Sequence, residues 1–168
     1  YIQLFEGLAP AQLDWIAQHA HRRNFEAGRN VMTIEQPGEA VYIILHGTVK
    51  IHIEQGERDV ILAIRGAGDL LGEMSLIDSI GRSASVVTLE TSLMLWMDKT
   101  SFNYMLDNFP PVARNLVKIL SARVRLSENG YPAFVRWEAR VCSGCGFAPL
   151  PEATFCSQCG RRLHGGIG

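Results

Sequence analysis

The 168-residue chain is 47% hydrophobic and 20% charged, with a formal net charge of −1: ordinary globular composition, and a length suited to one domain plus a small appendage. That charge offers no global basic field for nucleic acid or an anionic membrane, and no apolar run approaches the roughly 18 residues that span a bilayer. YIQLFEGL lacks the charged start and apolar stretch of a secretory signal; opening on Tyr1 rather than Met, the chain is read as a cytoplasmic protein or a fragment of one.

Taken in order, GLAPAQLDWIAQHAHRRNF has Pro10 at a helix start and Leu13, Trp15, Ile16 and Ala20 at near-helical spacing. From Glu26 to Met97 the period becomes two. VMTIE, AVYIILHG, TVKIHIE, DVILAI, SASVVTLE and SLMLWMD are short Val-, Ile- and Thr-rich runs, separated by the turn signals EAGRN, QPGEA, EQGERD and RGAGD. Such spacing predicts an antiparallel sandwich or barrel. KTSFNYMLDNF then reads as a short helix with Thr100 or Ser101 as its cap. PPVARNLVKILSARVRLSEN reads as a longer helix, with Val112, Leu116, Ile119 and Leu120 on one stripe and Val117, Leu120 and Val124 on a second. Two stripes need two partners, the barrel and a second copy of the chain, so a homodimer through the helix at 111–129 is expected. The domain division is 1–130 and 131–168: ENGYPAF, with Gly130 and Pro132, ends the helix, and all four cysteines follow it.

One segment inside the strand-rich region is neither strand nor simple turn: LLGEMSLIDSIGRSASV. Gly72 permits close backbone approach. EMSLID is long enough for one or two helical turns, whose free N–H groups favour an anion. Arg82, set among glycine, serine and alanine, offers a planar fork of donors suited to phosphate. Ser83 adds a hydroxyl, and with Ala84 contributes backbone N–H groups. Glu73 only accepts hydrogen bonds, and so suits sugar hydroxyls. The set asks for a compact anionic phosphate with a ribose hydroxyl a few ångströms away, which is the shape of a cyclic nucleotide.

Gly72-Glu73-Met74-Ser75-Leu76 and Arg82-Ser83-Ala84-Ser85-Val86 resemble the phosphate-binding cassette of the cyclic nucleotide-binding domain, found in catabolite-activator-type regulators, kinase regulatory subunits and gated channels. LFEGLAPAQLDWIA resembles that family's N-terminal helix and VYIILHGTVKI its glycine-bearing strand pair, so the resemblance covers about Tyr1 to Asn129. It implies a mainly β fold: a double-stranded β-helix (jelly-roll) barrel with flanking helices. It implies further that Arg82 and Ser83 hold the cyclic phosphate, and that Glu73, with the Gly72 backbone, holds the ribose 2′-hydroxyl. Met74 and Ala84 complete the cassette, and Ser127 on the long helix stands where relatives meet the purine. Gly81 departs from the proline common before the arginine, and Ser127 is followed by Glu128, so the base contact is half matched. Ser83 resembles the bacterial cAMP receptors, which favours cAMP over cGMP; a cyclic dinucleotide remains open.

In the tail, Cys142-x-x-Cys145-Gly146 and Cys156-x-x-Cys159-Gly160 can direct four thiolates at one ion, at roughly 2.3 Å each for zinc. So short a segment gains its folding free energy from the metal. The pattern resembles a small zinc ribbon; iron is the rival metal, and two disulfides are disfavoured in the cytoplasm. Arg136, Arg140, Arg161 and Arg162 against Glu138 and Glu152 leave the zinc-loaded tail near neutral, so a protein partner for the ribbon is expected rather than nucleic acid. His164 is read as solvated.

Relatives that bind DNA continue from the long helix into a helix-turn-helix. This chain runs through YPAFVRWEAR into the cysteines instead, so DNA binding is not expected from it. No nucleophile–base set or P-loop marks an enzyme. His19, His21, His46 and His52 raise haem, but strand histidines are usually half-exposed surface residues. The reading is a cyclic nucleotide-sensing regulatory module in which the ligand's phosphate draws the Arg82 loop inward and the helices at 100–129 re-pack. The alternative is an interaction scaffold with an empty barrel, Arg82 serving as a structural ion pair with Glu73 or Asp78, and the ribbon as the working end.

Overall fold

A computed structural model describes residues 1–55 and 58–130, without the side chains of 55, 58, 59 and 126–130. The cysteine tail, with Cys142, Cys145, Cys156 and Cys159, lies outside the described residues. Residues Tyr1–Leu120 make one compact unit and Ser121–Gly168 another.

After a 3-10 turn at Gln3–Phe5, helix α1 spans Pro10–His19. Strands β1 (His21–Phe25), β2 (Asn30–Met32), β3 (Ala40–His46), β4 (Val49–Gln55), β5 (Arg58–Arg65) and β6 (Leu70–Leu71) follow. Next come a single helical turn α2 (Met74–Ile77), strands β7 (Ser85–Thr88) and β8 (Ser92–Asp98), and helices α3 (Lys99–Asn108) and α4 (Pro110–Gly130). The strands form two four-stranded antiparallel sheets, ordered β1-β8-β3-β6 and β2-β7-β4-β5. This is the mainly β architecture with flanking helices that the strand spacing predicts.

Strand β3 shows why its sequence runs apolar without alternation. Val41 and Ile43 enter a cluster with Leu4, Ile16, Phe102, Met105, Val112 and Leu116 from the helical layer. Ala40, Tyr42 and Ile44 enter a second cluster with Val31, Val49, Val86 and Met94, between the sheets. A strand covered on both faces has no solvent side to be polar on. Leu76 of α2 belongs to the helical cluster, so the cassette turn is anchored to the same core as α3 and α4.

Two expected details differ. Leu13 is exposed, and the buried residue of α1 is Ile16; Trp15 instead stacks on His19 and Tyr104, with ring centroids 3.9 and 4.8 Å apart. The cap of α3 is neither Thr100 nor Ser101 but Asp98, whose Oδ1 accepts from the Ser101 N–H at 2.8 Å and Oδ2 from the Ser101 hydroxyl at 3.0 Å. Thr100 and Ser101 lie within the helix, whereas Asp98 holds the extended N-cap position, where its negative charge also suits the helix dipole. Those bonds, the backbone one foremost, hold the Asp98 carboxyl below its ordinary value. The folded state therefore favours the ionised form: its contribution is full above the unfolded value near pH 4 and is lost as pH falls through the lower folded value. Asp98→Ala is expected to cost about 1 kcal/mol in urea denaturation at neutral pH, the gap from the parent closing in that acid window.

The long helix bears out its first stripe, Val112 and Leu116 being buried with Ile119 and Leu120 packed beside them. On the second stripe, Val117 and Val124 are exposed.

Candidate functional site

The segment from β6 to β7 is built around one buried arginine. Arg82 is 7% exposed, and its bonded partners are neutral. Nη1 donates to the Gly72 carbonyl at 2.8 Å and to the Ser75 hydroxyl at 2.9 Å, and Nη2 donates to the Ala40 carbonyl on β3 at 2.7 Å. The Ser75 hydroxyl donates in turn to the Gly72 carbonyl at 3.2 Å. Burial pulls the guanidinium below its ordinary arginine value, while Tyr42, Glu73 and Glu39 act the other way. An arginine starts so high that it stays charged near neutrality. A buried cation held by carbonyls rather than consumed by one carboxylate keeps attraction for an anion to spare.

Local conformation explains the residues around it. Gly72 sits at φ +79, and a Cβ there would strike Arg82 Nη1 while lying 3.2 Å from Met32 Cε. Glycine supplies both the left-handed backbone and the room. The loop after β2 closes over the other side: the Arg82 N–H donates to the Gln36 carbonyl and the Arg82 carbonyl accepts from the Glu35 N–H, both at 2.9 Å. This contact also gives Gly81 a local reason. A Cβ at 81 would lie 2.9 Å from the Glu35 carbonyl oxygen. Among the described residues, Glu35 and Ser79 are the non-glycine residues of positive φ, at 68 and 58; both flank this loop contact, and the Asp78 side chain closes a turn onto the Ile80 N–H at 3.0 Å.

The expected residues are distributed as follows. Glu73 is buried at 2% exposed, close enough to Arg82 to favour its charge; Ala84 is buried, Met74 half-exposed and Ser83 exposed. Gly72, Glu73, Arg82, Ser83 and Ala84 thus share one corner of the barrel. Ser127 lies on α4 among residues whose side chains are not described. Ser75, Ala40 and the loop at Glu35–Gln36 were not singled out from sequence, although all three bond to Arg82. The structure places the guanidinium inside, on the Gly72 and Ala40 carbonyls and the Ser75 hydroxyl. The four histidines lie on α1, β1, β3 and β4, and His52 is buried rather than half-exposed. Among the described residues no three metal-ligating side chains gather, and no helix is long and apolar enough to cross a membrane.

The family model "Cyclic nucleotide-binding domain" matches residues 22–109, more than half of the chain. The chain belongs to the cyclic nucleotide-binding domain family. The match takes in β1 from its second residue, every later strand and the cassette. Among curated relatives, the cyclic AMP receptor protein of Thermus thermophilus is 34% identical over 123 residues, 73% of this chain and 57% of the relative. The CRP-like cAMP-activated global transcriptional regulator of Mycobacterium tuberculosis is 28% identical over 127 residues, 75% of this chain and 57% of the relative. The chain therefore spans little more than half the length of these relatives. The crystal structure of Thermus thermophilus catabolite activator protein superposes with a TM-score of 0.70 at 31% identity, over 79% of this chain and 63% of that one. As a cyclic nucleotide-binding domain, the chain is related to regulators of transcription.

Proposed function

We propose that the chain is a ligand-sensing regulatory module, not an enzyme, that binds a cyclic nucleotide, cAMP before cGMP, in the cytoplasm. The observation that carries this reading is the fixed guanidinium of Arg82 beside the exposed Ser83. Three neutral acceptors hold it, yet two of its five N–H groups remain unspent on described residues. Arg82 and Ser83, with the Ala84 backbone, would take the cyclic phosphate. Glu73, beside the Gly72 backbone and Met74, would take the ribose 2′-hydroxyl, and Ser127 would meet the base. The cAMP preference is supported by Ser83 and by the two curated relatives, whose names carry cAMP.

The phosphate would draw the Arg82 loop inward, and the signal follows from what that does to groups sharing its partners. Leu76 of the cassette turn packs in the cluster of Phe102, Val112 and Leu116, so a small shift of α2 re-weights the packing of α3 and α4. Homodimerisation through 111–129 is supported by the exposed Val117 and Val124. Residues 131–168 are assigned to a linker and zinc ribbon on Cys142, Cys145, Cys156 and Cys159, contacting a protein partner rather than DNA; here the support is the cysteine spacing alone. Thermal denaturation tests the central reading: cAMP at 100 times its dissociation constant is expected to stabilise the fold by about 2.7 kcal/mol. An unmoved midpoint with both cAMP and cGMP at millimolar concentration contradicts it.

A further inference from the structure

Resting on that reading of the pocket, we propose that Ser75 is a positioning residue for phosphate recognition, and that the loop after β2 holds it in place through Gly38. Ser75 is 4% exposed, and its hydroxyl works in two directions: it accepts from Arg82 Nη1 at 2.9 Å and donates to the Gly72 carbonyl at 3.2 Å. With the Gly72 carbonyl itself, this occupies both hydrogens of Nη1. The Ala40 carbonyl takes one hydrogen of Nη2. The Nε hydrogen and the second Nη2 hydrogen are left, one on each of two neighbouring nitrogens. Nε and Nη2 form one edge of the guanidinium, an edge that can meet two phosphate oxygens side by side. Ser75 thus ties down the nitrogen that would otherwise compete for the anion, and fixes the plane in which the remaining two donors point.

The same loop clamps both ends of Arg82. Its backbone is bonded at Glu35 and Gln36, and Gly38 lies against Ser75 so closely that an added Cβ would strike its hydroxyl and sit 2.9 Å from its carbonyl oxygen. A side chain at 38 would push Ser75 away from the arginine. Pre-organisation of this kind lowers the ordering cost of binding without adding a contact to the ligand.

The experiment is calorimetric titration of the full chain and of Ser75→Ala with cAMP and with the two phosphorothioate diastereomers of cAMP, which place sulfur on one or the other exocyclic position. Ser75→Ala, its fold checked by thermal denaturation, is expected to bind cAMP about 10-fold more weakly and to lose most of the parent's discrimination between the diastereomers. Gly38→Ala keeps the hydroxyl but displaces it; it is expected to move both quantities in the same direction, and it carries the test if Ser75→Ala does not fold. Unchanged cAMP affinity in folded Ser75→Ala overturns the positioning role and leaves the proposed function standing. Weaker binding with the diastereomer ratio preserved overturns it too, since general loosening of the fold would do the same. A parent chain that binds neither cAMP nor cGMP overturns both.

Discussion

Arg82→Ala is expected to weaken cyclic nucleotide binding by 100-fold or more. The site as read spends two charge-assisted hydrogen bonds from this side chain on the phosphate, each worth about 1.5–3 kcal/mol, and a factor of 10 in affinity is about 1.4 kcal/mol. Nothing else near the cassette replaces them: the neighbours are Gly81, Ser83 and Ala84, and Glu73 carries the wrong charge. Arg82→Lys is expected to recover little, because a point charge cannot reach Gly72, Ser75, Ala40 and a ligand together. The fold should survive. Deleting a buried cation removes a desolvation cost even as it takes a donor from the Ala40 carbonyl and leaves the Gly72 carbonyl with Ser75 alone, so the two effects offset. Titration of the variant against its parent, with a melting curve on each, reads both quantities; parent-like affinity for cAMP would remove Arg82 from the site.

Gly72→Ala is expected to do comparable damage by another route. The new Cβ meets Arg82 Nη1 in a backbone conformation of φ +79, so the guanidinium must leave its carbonyls or the strand end must shift. We expect binding to fall by about 100-fold, two charge-assisted bonds again being misaligned, and stability to fall by about 1–3 kcal/mol from strain and displacement together. Gly28→Ala is the control. Gly28 has nearly the same φ, +77, with nothing within 4 Å of an added Cβ, so it carries the backbone cost alone. If Gly72→Ala and Gly28→Ala lose equal stability and neither loses binding, the steric link between Gly72 and Arg82 is of no consequence to the ligand.

What the sequence revealed, and what it hid, follows from how far each interaction reaches along the chain. Arg82 stood out because glycine, serine and alanine around it could neither shield nor pair it, a local signal. Its anchors could not be read the same way: Ala40 is 42 residues away and accepts through nothing but a carbonyl, which every residue owns. Ser75 was in plain view inside Gly72-Glu73-Met74-Ser75-Leu76, but its hydroxyl acquires meaning only when the turn brings it to Nη1. The same division holds for the fold. β3, β4, β5 and β7 announced themselves by Val- and Ile-rich runs, and β8 by its alternating Leu and Met. β1, His21–Phe25, carries His-Arg-Arg-Asn with no apolar alternation, and is a strand because it pairs with β8 along its whole length. β6 is two residues long, too short to carry a period, and is fixed by pairing to Tyr42 and Ile43. Asp98 was read as the end of a strand, and only the geometry of the following turn makes it a cap.

The departures from the family pattern have different weights. Gly81 in place of proline has a physical reason in the Glu35 carbonyl that stands 2.9 Å from where a Cβ would go. The half-matched base contact at Ser127 has none among the described residues, so the choice between bases rests on Ser83 and on kinship with cAMP-named regulators.

Calorimetric titration of the purified chain, stripped of bound nucleotide, with cAMP and then cGMP tests the central claim most directly. The account predicts one site per chain, micromolar or tighter for cAMP and weaker for cGMP. A folded chain that takes up neither would contradict it: Arg82 would then be a structural cation, the barrel a scaffold, and the working end of the protein would have to be sought beyond residue 130.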